Sequence, residues 1–173
     1  MASSGAGDSG VTDPLVSDTP ANELVEALSV AGQTIATAES LTAGLLAATI
    51  AGVPGASAVL RGGLIVYVAD LKVSLAQVDP RVIDTDGAVS AAAAAQLATG
   101  ARQQCAADWG VGLTGVAGPD SQDGWPVGTV FLGVAGPAGV TVRQLALPGG
   151  RWAVRQGAVR AAIAGVIGQL PRG

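Results

Sequence analysis

Residues 109–115, WGVGLTG, form a near-continuous apolar run that closes on a threonine and a glycine. A run without polar alternation reads as a strand buried on both faces, the kind found inside a sheet with helices above and below. Working outward from it, residues 90–106, SAAAAAQLATGARQQCA, read as a strong helix with Ser90 as its N-cap. On the other side, VAGPDSQDGWPVG (116–128) is a loop of turn residues. Residues 128–148 then read as two strands joined by GPAG (136–139), an antiparallel hairpin.

The remaining segments alternate. Pro20 opens a helix over ANELVEALSVAG (21–32), with Leu24, Leu28 and Val30 directed inward and Gly32 as its stop. QTIATA (33–38) is a short strand and TAGLLAATIAG (42–52) a helix ending before Pro54. SAVLRGGLIVY (57–67) is a second strand, in which Gly62 and Gly63 signal a bulge or a close backbone approach. ADLKVSLAQV (69–78) is a short helix, DPRVIDTDGAV (79–89) a connector, and a last helix runs from Arg151 to Leu170. Strands alternating with helices, plus one hairpin, imply an α/β fold: a mixed, mostly parallel sheet of about five strands with helices on both faces. The Ser-, Gly- and Asp-rich residues 1–19 read as a disordered leader, and residues 20–173 as one domain.

Composition narrows the function. With 49% hydrophobic residues and a mean hydropathy of +0.48, the chain is able to build a core. A net charge of −4, a pI near 4.5 and no Lys/Arg cluster argue against nucleic-acid binding through phosphate neutralisation. The first 20 residues hold no Lys or Arg and no apolar run, so no secretory signal is expected. The longest apolar stretch, residues 45–60, is interrupted by Pro54 and glycines and does not read as a membrane span. A cytoplasmic protein is the expectation. One cysteine and no histidine leave neither a disulfide nor the usual zinc ligand sets, so no metal or cofactor is expected. Cys105 reads as a small buried hydrophobe.

Four places carry residues suited to chemistry. Ser40, in TAES (37–40), stands where a strand gives way to a helix, an address at which open α/β sheets bind ligands. It is either an N-cap, a role open to Thr42 as well, or a nucleophile beside helix N–H groups that hold an anion or oxyanion. Lys72 is the sole lysine, the other eight cations being arginine, and Tyr67 is the sole tyrosine. Arginine stays charged whereas lysine is able to lose its proton; without histidine, a Ser–Lys pairing is the route to an activated hydroxyl. Lowering a lysine from about 10.4 to roughly 7.5 costs about 4 kcal/mol, feasible in a dry cleft. The bland alternative is an exposed helical lysine. In GLTGVAGPD (112–120), Thr114 ends the buried strand and offers a hydroxyl to substrate or to a moving proton, while Gly115 and Gly118 allow close backbone approach; otherwise the segment is only a turn. Arg151 and Arg155 open the last helix, where cations oppose the macrodipole unless an anion such as phosphate sits there; otherwise both are solvent-exposed.

Taken in order, AESLTAG (38–44), RGGLIVYVADLK (61–72), GAVS (87–90), GLTGVAGP (112–119), PVGTV (126–130) and GGRWAVR (149–155) resemble the CinA C-terminal domain family, the nicotinamide-mononucleotide deamidases, over residues 21–170. The resemblance implies a three-layer α/β/α sandwich that hydrolyses the carboxamide of nicotinamide mononucleotide to the acid and ammonia. It puts the family's E-S-x-T serine on Ser40, its Y-x-x-x-x-K pair on Tyr67 and Lys72, its T-G-x-A-G-P threonine on Thr114 and its late arginine on Arg151. Ser40, Lys72, Tyr67 and Thr114 are then the expected catalytic set, with Thr42, Gly44, Gly115 and Arg151 as substrate contacts. A pyridine nucleotide is the implied small-molecule partner and a homodimer the implied assembly. Two positions depart from the pattern. Ala43 replaces the first glycine of E-S-x-T-G-G, a methyl expected to narrow the pocket, and Gly150 stands where G-D-R has its aspartate. The amino-terminal domain of longer members is missing from the sequence, so the stand-alone type is the expectation. The other class to weigh is a non-catalytic nucleotide- or partner-binding module linked to competence or DNA damage.

Overall fold

The computed structural model describes residues 13–171. In chain order the elements are α1 (Ala21–Ala31), β1 (Ile35–Glu39), α2 (Leu45–Ala51), β2 (Leu60–Ile65), α3 (Ala69–Ala76), α4 (Pro80–Thr85), α5 (Ala91–Gln104), β3 (Trp109–Gly115), β4 (Thr129–Gly136), β5 (Gly139–Ala146) and α6 (Arg151–Ile167). The five strands form one mixed sheet in the order β2-β1-β3-β4-β5; β1 pairs in parallel with β2 and β3, and β4 runs antiparallel to β3 and β5. All five expected strands are present, and β3 lies at the sheet's centre, as its apolar run requires. Among the described residues no helix is long and apolar enough to cross a membrane.

Strand alternation sorts the layers. Ile35 of β1 and Trp109, Val111 and Leu113 of β3 pack with α1, α2 and α6, while Ala36 and Ala38 pack against Leu97 and Ala101 of α5. Toward α5 the centre of the sheet is almost bare: a Cβ on Gly110, Gly112 or Gly133 would run into the backbone of α5 at Ala98 or Ala94. Helix and sheet therefore meet backbone to backbone. A Cβ on Gly112 would lie 2.5 Å from both the Ala94 carbonyl and the Ala98 nitrogen, neither of which is able to give way without lifting the helix. Gly112→Ala is accordingly expected to lower stability by about 1–3 kcal/mol, read as a fall in the urea midpoint.

Several expectations need correcting. Val30 is 84% exposed, because the inward stripe of α1 ends at Leu28 one turn before the helix does. Residues 79–89 are not only a connector: Asp79 accepts from the Arg81 N–H and caps the short helix α4, which begins at Pro80. Ser90 caps α5 as expected, accepting from the Ala93 N–H. Of the two readings of the glycine pair in β2, the close approach holds at Gly63, where a Cβ would lie 2.6 Å from the Thr37 hydroxyl; the β1–β2 register shift falls one residue earlier, at Arg61. Cys105, expected to be buried, is half-buried at the end of α5. Of the leader expected over residues 1–19, residues 1–12 lie outside the described ones; residues 14–18 form a turn that buries Val16 in the core.

Candidate active site

The chain leaves β1 at Glu39 and does not enter α2 until Leu45, with Gly44 in the capping position, φ +92°. Ser40 is thus four residues upstream of the cap, and the capping alternative for it fails. Thr42 does not cap either; it is buried, and its hydroxyl has no partner among the described residues. Glu39 does the capping. Its carboxylate, 1% exposed, accepts from the backbone N–H groups of Gly44, Leu46 and Ala47 at 2.9–3.0 Å and from the Thr37 hydroxyl at 3.0 Å. The anion expected at this helix end is a side chain of the protein itself, so the end is closed to a substrate anion.

Ser40 is fixed where β1 meets β3: its N–H donates to the Leu113 carbonyl at 3.0 Å, and its carbonyl accepts from the Ala43 N–H at 3.1 Å. The Leu41 N–H, next to it, has no acceptor among the described residues. Lys72 comes from α3 and is 2% exposed, which removes the exposed-lysine alternative. Its Nζ donates to Ser40 Oγ at 3.1 Å and to the Val66 carbonyl at 2.8 Å. Among the described residues no carboxylate offsets its burial, and desolvation pulls it down from 10.5 to about 8. A serine hydroxyl is therefore in direct contact with an amine that is able to lose its proton near neutral pH.

The pair opens into a cavity of about 450 Å³ at the carboxyl ends of β1 and β3, lined also by Thr114, Gly115, Tyr67 and Arg151. Thr114 spends its hydroxyl proton on the Ala88 carbonyl at 2.7 Å, leaving its oxygen lone pairs to the cavity. Tyr67 and Lys72 do not bond. The tyrosine hydroxyl instead accepts from Arg151 at 2.8 Å, and the same guanidinium donates to the Gly118 carbonyl at 2.6 Å, bridging two sides of the cavity. Thr42 and Gly44 do not line the cavity. Neither does Ala43, which is exposed, so its methyl does not narrow the pocket; its cost is conformational, a non-glycine residue held at φ +50°. At Gly150 a Cβ would meet nothing within 4 Å, and α6 begins there without a side-chain cap.

Two residues of this neighbourhood were not legible beforehand. Glu39 directly follows the strand expected over residues 33–38, with nothing in the sequence to signal contacts five, seven and eight residues on. Arg155 reads, like Arg151, either as an anion contact at the start of the last helix or as a solvent-exposed arginine, yet it is partly buried and donates to the Leu41 and Thr42 carbonyls at 3.0 and 2.9 Å.

Helical layers on both faces of a mixed sheet, with a serine at the end of one parallel strand bonded to a buried lysine, define a three-layer α/β/α protein with a serine–lysine site. The chain belongs to the CinA family: the model of the CinA C-terminal domain matches residues 17–170. It is 46% identical over 130 residues to a CinA-like protein of Frankia casuarinae, covering 75% of this chain and 30% of that protein. It is 49% identical over 124 residues to a putative competence-damage inducible protein of Geobacillus, covering 71% and 30%. The match thus spans under a third of those relatives' length. Among solved structures, the competence/damage inducible protein CihA of Agrobacterium tumefaciens is 33% identical with a TM-score of 0.82, covering 86% of this chain and 92% of that one. A CinA superfamily protein of Klebsiella pneumoniae is 29% identical with a TM-score of 0.84, covering 87% and 94%.

Proposed function

We propose that this protein is an amidohydrolase that converts nicotinamide mononucleotide to nicotinate mononucleotide and ammonia through an acyl-enzyme on Ser40. The observation that carries the reading is the buried Lys72 amine, 3.1 Å from Ser40 Oγ and lowered to about 8. Neutral Lys72 takes the Ser40 proton as Oγ attacks the carboxamide carbon, and the resulting ammonium returns a proton to the departing nitrogen, which leaves as ammonia. The unpaired Leu41 N–H, directly after the nucleophile, suits the developing oxyanion. Water then attacks the ester, with Lys72 again as base, and releases the acid. Because Lys72 reaches Ser40 directly, Tyr67 is not needed as a proton relay. Its hydroxyl, bonded to Arg151, belongs with that arginine at the phosphate end of the substrate.

The test is ammonia release from the purified protein. Nicotinamide mononucleotide is expected to turn over, and nicotinamide riboside, lacking the phosphate, to show a kcat/KM lower by about 30-fold or more, the worth of a charge-assisted contact. Arg151→Ala is expected to reduce activity on the nucleotide and leave the riboside nearly unaffected. Equal efficiency on both substrates removes the phosphate role from Arg151. Binding of the nucleotide without turnover anywhere from about pH 6 to about pH 10 replaces the enzyme with a binding module.

A further inference from the structure

The turn that carries Ser40 belongs to no helix or strand, and Ala43 within it sits in the left-handed region. Such a segment does not hold a nucleophile still on its own. It is gripped from two sides by charges that do not pair with each other. From one side the Glu39 carboxylate takes the N–H groups of Gly44, Leu46 and Ala47. From the other, Arg155 reaches across from α6, donating from Nε to the Leu41 carbonyl at 3.0 Å and from a terminal nitrogen to the Thr42 carbonyl at 2.9 Å. An arginine placed for stability alone is free to pair with a carboxylate. Here the planar fork is spent on two consecutive carbonyls directly after the serine, and its Cζ lies over the Trp152 ring, 5.5 Å from the ring centre. Fixing the Leu41 carbonyl fixes the plane of the peptide that follows it, and with it the path of the chain out of Ser40.

We infer that Arg155 is a positioning residue for Ser40, holding the nucleophile's turn against the opposing grip of Glu39. It neither hydrogen-bonds Lys72 nor lines the cavity. Its loss therefore acts on the geometry of attack, leaving substrate affinity and the base unchanged. An ångström of misplacement at a nucleophile is enough to cost up to a hundredfold in rate.

The inference rests on the serine reading above for its kinetic arm and is independent of it in the other. In the first arm, amide hydrogen exchange is followed in Arg155→Met and Arg155→Lys. Residues 40–47 are expected to exchange about tenfold faster or more in the methionine variant, with α5 unchanged. Unaltered exchange in that segment overturns the clamp whatever the activity. In the second arm, Ser40 is labelled with a fluorophosphonate, which needs no nucleotide recognition. The labelling rate and kcat are expected to fall about 10- to 100-fold in Arg155→Met, with KM within about twofold and the pH midpoint unmoved. Arg155→Lys, a point donor unable to fork, is expected to recover only part of the rate, and it serves alone if the methionine variant does not fold. A raised KM with unchanged labelling makes Arg155 a substrate contact, and a lowered Tm with unchanged labelling makes it merely structural; either result overturns the proposal. Wild-type protein that labels at Ser40 but releases no ammonia refutes the deamidase reading and leaves the clamp to be judged on exchange and labelling.

Discussion

Ser40→Ala is expected to lose ammonia release from nicotinamide mononucleotide by about a thousandfold or more, while the circular dichroism spectrum stays that of the wild type. In the proposed acyl-enzyme mechanism, removing the Ser40 hydroxyl leaves only binding and oxyanion contacts, which sets the size of the expected loss. The fold should survive because Ser40 is anchored through its backbone, to Leu113 and Ala43, and its side chain contributes one hydrogen bond. Full activity in the alanine variant would show that Ser40 is not the nucleophile.

The second large effect belongs to Lys72. Activity is expected to rise with pH along a single limb with its midpoint near 8, where burial places the amine. At pH 7.5 roughly a quarter of molecules then carry the neutral base. Lys72→Arg keeps the charge but not the exchangeable proton, so it is expected to be nearly as inactive as Lys72→Met, about a hundredfold or more below wild type. A Lys72→Arg variant with near-normal turnover leaves lysine only an anchoring role. Stability should respond to pH with a defined sign. Below pH 8 both folded and unfolded chains hold the proton, and the fold bears the full cost of burying it. Between about 8 and 10.5 the folded chain has released the proton and the unfolded chain has not, so wild-type stability rises through that window. The gap is worth about 3 kcal/mol. Measured against Lys72→Met, which lacks the group, wild type is therefore expected to gain about that amount between pH 7.5 and 10.5 by chemical denaturation.

What could be read from the residues alone was whatever short-range pattern determines. The apolar run of β3, the Ser90 cap of α5 and the Gly32 stop of α1 each depend on neighbours a few positions away, and each is where the pattern puts it. Lys72 stood out by rarity, a lysine in a chain that otherwise writes its cations as arginine. What stayed hidden depends on contacts that no local pattern encodes. At the strand-to-helix junction Ser40 was open to a cap or a nucleophile reading and Thr42 to a cap, because serine and threonine usually cap, but it is the carboxylate of Glu39 that reaches forward and takes the N–H groups. By position alone Arg151 and Arg155 look equivalent; the resemblance singles out Arg151, and the placement of α6 beside the Ser40 turn shows what the other does, sending Arg151 to Tyr67 and Arg155 to the Leu41 and Thr42 carbonyls. The site residues proposed from sequence divide accordingly. Ser40, Lys72, Tyr67, Thr114, Gly115 and Arg151 meet at one cavity, while Thr42 and Gly44 support the turn from outside it.

The burial of the one lysine has a practical side. Across these 173 residues, amine-directed labels, crosslinkers and immobilising resins find no lysine side chain on the surface, because the one lysine, Lys72, is 2% exposed and lines the cavity. Reagents too large for the cavity leave it alone. A small acylating agent that does enter meets an amine already largely unprotonated at mildly alkaline pH, and therefore more reactive than an ordinary lysine. Conjugation strategies for this protein are accordingly better directed to the half-buried thiol of Cys105, on the side of the sheet that carries α5.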